Sequence, residues 1–90
     1  MKKEHFMGKQ WVNIQGEEQE LSYWLMEERA EGTTLYGIKV VKKDREYAST
    51  GAISRDSEVV RQLIGRLMDC KITPCVLNEV VDDWYEVMAS

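Results

Sequence analysis

At 90 residues the chain has room for one domain with a modest core, and its 43% hydrophobic and 31% charged content suits a folded globular protein rather than a disordered one. Sixteen acidic against twelve basic side chains leave a net charge of −4, which argues against general nucleic-acid or anionic-membrane binding, since both draw on a basic surface. No apolar run nears the ~18 residues of a membrane span, no apolar run follows Lys2-Lys3 as in a secretory signal, and with two cysteines the expectation is a cytoplasmic protein with reduced thiols and no membrane contact.

Residues 1–19 are polar and weakly patterned, and are expected to form an N-terminal tail or an extra short strand. The candidate strand is Trp11-Val12-Asn13-Ile14, closed by Gly16. From Glu20 the pattern has period two: Leu21, Tyr23 and Leu25 alternate with Ser22, Trp24 and Met26, as in a strand with one buried face. Glu31-Gly32 supplies a turn whose glycine tolerates positive φ. A second strand runs from Thr34 to Val41, Lys43 to Glu46 is a polar turn, and Tyr47 to Ile53 is a third, weaker strand.

Turn lengths predict register. A two-residue loop at Glu31-Gly32 sets Leu25 opposite Ile38 and Tyr23 opposite Val40. A two-residue loop at Asp44-Arg45 sets Ser49 opposite Val40 and Gly51 opposite Ile38. One face then gathers Leu21, Tyr23, Leu25, Tyr36, Ile38, Val40, Tyr47 and Ile53, a set that a one-residue slip would scatter. The other face carries Trp24, Met26, Leu35 and Val41 with Ser22, Lys39, Ala48, Thr50 and Ala52.

Asp56 is placed as the N-cap of a helix whose apolar side is Val59, Val60, Leu63, Ile64, Leu67 and Met68. It ends near Cys70-Lys71. Thr73, as N-cap, and Pro74, at the first helical position, start a second helix that buries Leu77, Val80, Val81, Trp84 and Met88. The fold expected is α+β: residues 20–90 form a single β-β-β-α-α domain. Its antiparallel meander has three strands, four if the N-terminal segment joins, and two antiparallel helices pack on one face.

Both cysteines lie in the stretch CKITPC, residues 70 to 75. Zinc needs about four ligands, and the only histidine, His5, lies in the N-terminal segment. A dithiol redox centre uses C-x-x-C at a helix start, whereas C-x4-C around a proline marks a joint between helices. Catalytic residues are not expected, since no nucleophile–histidine–carboxylate set can be assembled. Glu79, Asp82, Asp83 and Glu86 share one side of the second helix, and residues 72–90 hold these four acids and no basic residue. On a straight helix they diverge and do not wrap an ion, so this acidic face is a weaker candidate docking surface. No cofactor and no metal are expected.

The stronger candidate is the sheet face with Trp24, Met26, Leu35 and Val41. An exposed apolar patch marks an interface, and tryptophan is enriched at interface hot spots. Two other readings stay open, that the N-terminal segment folds over the patch or that the register is different.

The order of Leu21 to Met26, then Leu35-Tyr36-Gly37-Ile38, then Ile72-Thr73-Pro74 leading into Val80-Val81-Asp82-Asp83-Trp84, resembles an uncharacterised domain-of-unknown-function family of short Gram-positive bacterial proteins, over roughly residues 20–86. The resemblance implies a bacterial, cytoplasmic protein and no particular activity, cofactor or catalytic residue. In that family the position of Cys75 is usually not cysteine. The function expected is a small non-enzymatic regulatory or adaptor module acting through protein–protein contact or self-association, with a homodimer as one form. The alternative is a small-ligand or nucleic-acid binding domain.

Overall fold

Two X-Gly dipeptides set the sheet. Gln15-Gly16 and Glu31-Gly32 have positive φ at both residues, 53° and 85° in the first and 52° and 77° in the second. This is the pattern of two-residue type I′ hairpin turns, whose twist matches that of the strands, with glycine taking the second position without a Cβ penalty. In a computed structural model they join β1 (Lys2–Ile14) to β2 (Glu17–Ala30) and β2 to β3 (Thr33–Lys42). After β4 (Glu46–Ser49) come α1 (Ser57–Asp69) and α2 (Pro74–Ala89). The strands form one antiparallel sheet in the order β1-β2-β3-β4, on which the two helices pack. The structure describes residues 2–42 and 46–89, and of residues 85–89 only the backbone.

The N-terminal segment is a strand of 13 residues, not a tail and not short. It pairs with β2 along its whole length, so it extends the sheet sideways and does not fold over it. A bulge at Phe6/Gly8 interrupts the pairing. Between β2 and β3 the register is the expected one, with Leu25 opposite Ile38 and Tyr23 opposite Val40.

The next pairing differs by one residue. Val40 faces Ala48 and Val41 faces Tyr47, and the expected loop at Asp44-Arg45 lies outside the described residues. Because side chains alternate across a strand, this single step sends Tyr47 to the face away from the core and brings Ala48 against it. Beyond β4 the chain bulges: Thr50 N–H donates to the Ile38 carbonyl, yet the next contacts are Ile53 N–H to Tyr36 and Tyr36 N–H to Ser54. Gly51 and Ala52 are exposed in that bulge. Gly51 is therefore not on the helix-covered face opposite Ile38, and a Cβ added to it would meet nothing within 4 Å.

The core lies between the sheet and the helices. Leu21, Tyr23, Leu25, Ile38, Val40 and Ile53 meet Val60, Leu63, Ile64 and Leu67 of α1 and Leu77 and Val81 of α2, all buried. Each such side chain contributes roughly 1.5–3 kcal/mol through removal from water. Helix α1 lies against β1, β2 and β3, and α2 against β3 and β4. The expected side chain of Met88 lies outside the described residues.

The helix ends have identifiable causes. Asp56 caps α1, its Oδ1 accepting from Glu58 N–H at 2.9 Å. Asp56→Ala is expected to cost about 1 kcal/mol, measurable as a shift in the denaturant midpoint with an unchanged slope. At the other end Lys71 is left-handed, φ 52°. Ile72 N–H donates to the Leu67 carbonyl and Lys71 N–H to that of Met68, both at 3.0 Å, the paired bonds of a Schellman motif. Helix α2 opens on Pro74 as expected, and Thr73 takes part through its carbonyl, which accepts from Val76 N–H at 3.2 Å.

Tyr23 locks this joint to the sheet. Its hydroxyl donates to the Ile72 carbonyl at 2.9 Å. Burial pushes its phenol up to about 12, and the nearby Cys70 thiol adds to the shift. CKITPC is thus a helix–helix joint. Its two cysteines are free and exposed.

Candidate functional site

With the helices on one face, the other face of the sheet is bare of any covering element among the described residues. The smallest dimension of the backbone, 17 Å, matches one sheet and one helix layer. Strand pairing places the expected residues on this face: Trp24 opposite Lys39, Met26 opposite Gly37, Val41 opposite Ser22 and Leu35 opposite Glu28. All four are partly exposed.

Three aromatic side chains join them that sequence patterning did not place there. Phe6, 50% exposed, stands opposite Trp24. Trp11, 52% exposed, lies opposite Glu20 on the same face, and Tyr47, 68% exposed, beside Val41. Phe6 meets Trp24 edge-on with ring centroids 5.2 Å apart, a geometry worth about 0.5–1.5 kcal/mol beyond area burial. Trp24 Nε1 donates to Ser22 Oγ at 3.1 Å, which fixes the indole on the surface.

Two lysines on this face are held by glutamates. Lys39 Nζ reaches Glu4 at 3.0 Å and stands 5.4 Å above the Tyr47 ring. Lys9 reaches Glu20 at 3.2 Å. At one corner the Thr50–Ala52 bulge, with Lys2, Met26, Leu35 and Gly37, encloses a shallow cavity of about 160 Å³.

Glu79, Asp82 and Asp83 are exposed on α2, while the side chain of Glu86 lies outside the described residues. Among the described residues no group of three or more His, Cys, Asp or Glu side chains is placed to hold a metal ion. His5 stands on the helix side of the sheet, its Nε2 3.1 Å from Glu27 Oε1. Cys75 Sγ lies 4.0 Å from a Glu46 carboxylate oxygen. Among the described residues no helix is long and apolar enough to cross a membrane.

A family model described as "Family of unknown function (DUF6514)" matches residues 2–87. The match therefore takes in the N-terminal strand that the resemblance over residues 20–86 left out. No curated protein and no solved structure is detectably similar to the chain.

Proposed function

The chain belongs to the DUF6514 family, whose function is unknown, and we propose that it is a small non-enzymatic contact module, a regulatory or adaptor protein that works by pressing its bare sheet face against a protein surface. A bacterial, cytoplasmic setting is part of this proposal. The observation that carries it is the gathering of Phe6, Trp11, Trp24, Met26, Leu35, Val41 and Tyr47 on the one sheet face that the helices leave uncovered. Contiguous apolar surface of this kind marks interaction sites.

The edges of the sheet favour a face contact over strand addition. β1 carries Lys2, Lys3 and Lys9 and a bulge, and β4 is only 4 residues long. Both are devices that blunt an edge. The small-ligand alternative has two hollows behind it, but the corner cavity, about 160 Å³, is small beside the ~300–1,000 Å³ of ordinary ligand sites, and the other, about 330 Å³, is an open surface hollow lined by only Glu46, Tyr47, Pro74 and Cys75. For nucleic acid, Lys9 and Lys39 are already engaged by glutamates, which weakens a phosphate-binding role.

The test is capture from the native cell with the tagged chain and with its Trp24→Glu/Met26→Lys variant. The parent is expected to retain a stoichiometric protein, another molecule of itself included, and the variant to lose it while melting cooperatively. Equal recovery by both would sink the proposal.

A further inference from the structure

We infer that the occupant of the bare face is a second copy of this chain, two sheets meeting face to face across a two-fold axis that passes near Trp24. This rests on the contact-module reading above and adds the partner to it.

Charge selects the partner. On this face Glu4 holds Lys39, Glu20 holds Lys9, and Lys2 stands opposite Glu28 in the strand register. A strongly acidic or basic partner therefore finds few unpaired charges to engage, and binding it would mean breaking these pairs. A surface of the same kind, apolar and internally neutralised, makes no such demand, and the same patch seen twice meets that description. The rest of the molecule discourages other modes of self-association. The chain carries a net −4, and Pro74–Ala89 presents acidic side chains with no basic residue among them, so copies approaching through α2 repel each other.

Size and placement fit as well. Strands of 13, 14, 10 and 4 residues, at ~3.3 Å per residue and ~4.8 Å apart, give a face of roughly 650 Å². Side-chain relief raises the accessible area towards the ~800 Å² per partner of a standard interface. The row Phe6, Trp24, Lys39, Ser49 crosses the middle of this face, with Met26 and Leu35 towards one end and Val41, Tyr47 and Trp11 towards the other. Trp24, on an inner strand, lies near the middle of this face with Phe6 packed against it from the edge strand, the kind of aromatic anchor found at interface hot spots, and a two-fold contact brings it onto its own copy.

Sedimentation velocity of the full chain over a range of concentrations tests this. The parent is expected to sediment as a dimer, and Trp24→Glu to weaken the dimer by about 30-fold or more, the factor that follows from losing a hot spot. Trp24 is only partly exposed, so Phe6→Glu, at a half-exposed position on an edge strand, is run beside it and is expected to act in the same direction. Far-ultraviolet circular dichroism establishes which variants are folded, and where Trp24→Glu is not, Phe6→Glu decides. A parent that is monomeric at every concentration overturns the second copy as occupant, and the contact-module reading then stands or falls on the capture experiment. A parent dimer that the folded variants leave intact overturns the inference too, because the copies then meet through another surface.

Discussion

Gly37→Val is expected to lower the melting temperature by about 10 °C. A Cβ at position 37 would lie 2.7 Å from the Gly51 carbonyl oxygen and 3.1 Å from Thr50 Oγ1. The first of these is main chain, held by the bonds that tie Thr50 to Ile38 and Ile53 to Tyr36. It can move only if the Thr50–Ala52 bulge moves with it. Overpacking of this kind costs about 1–3 kcal/mol, and in a domain of this length each kcal/mol is worth about 4–8 °C. Gly51→Ala is the matched control, since its new Cβ meets open space. If Gly51→Ala melted early and Gly37→Val did not, the chain after β4 would have to follow a different path across Gly37.

The second large effect is expected at Tyr23, which has no exposed surface and bonds the helix joint. Tyr23→Ala empties the middle of the core and is expected to cost about 3–5 kcal/mol, a large part of the stability of a small domain. Tyr23→Phe keeps the ring and strands the Ile72 carbonyl, at a cost of about 1 kcal/mol. The two variants also differ in alkali. Burial and Cys70 hold the Tyr23 phenol at about 12 in the folded chain against an ordinary 10.0, so folding favours the neutral form. Its contribution is complete below pH 10.0 and is lost as pH rises through about 12. Denaturant unfolding of parent and Tyr23→Phe across that window checks the point: the parent is expected to lose stability more steeply with rising pH. Parallel curves would mean that Tyr23 ionises as readily folded as unfolded.

Legibility in the sequence follows the strength of the local signals. The β2–β3 pairing is fully readable because Glu31-Gly32 gives the loop length and Leu21, Tyr23 and Leu25 alternate without interruption. Gln15-Gly16 has the same form and the same backbone geometry, yet β1 escapes a period-two reading. Its bulge shifts the alternation, so Glu4 and Phe6 share a face with Lys9 and Trp11 although their numbers differ in parity. β4 has only four residues, too few to fix its own phase, and the slip there misplaces Tyr47 and Ala48 together. The bare face is consequently half visible. Trp24, Met26, Leu35 and Val41 follow from the well-marked hairpin, whereas Phe6, Trp11 and Tyr47 depend on two irregularities that only the folded chain reveals.

The sheet is built wholly from neighbours in the chain, and the helices that cover it come after all four strands. During synthesis, then, the meander can zip together hairpin by hairpin as it leaves the ribosome, since each closure is short and local. Until α1 and α2 follow, however, both of its faces are apolar and wet. The nascent sheet is a sticky slab, and its lysine-bearing β1 edge and its stub of a β4 limit strand-by-strand growth on a neighbouring ribosome's product. Docking of the helices then converts a two-faced intermediate into a one-faced protein, so slow synthesis across residues 57–84 is expected to lower the yield of soluble chain more than slow synthesis across the strands.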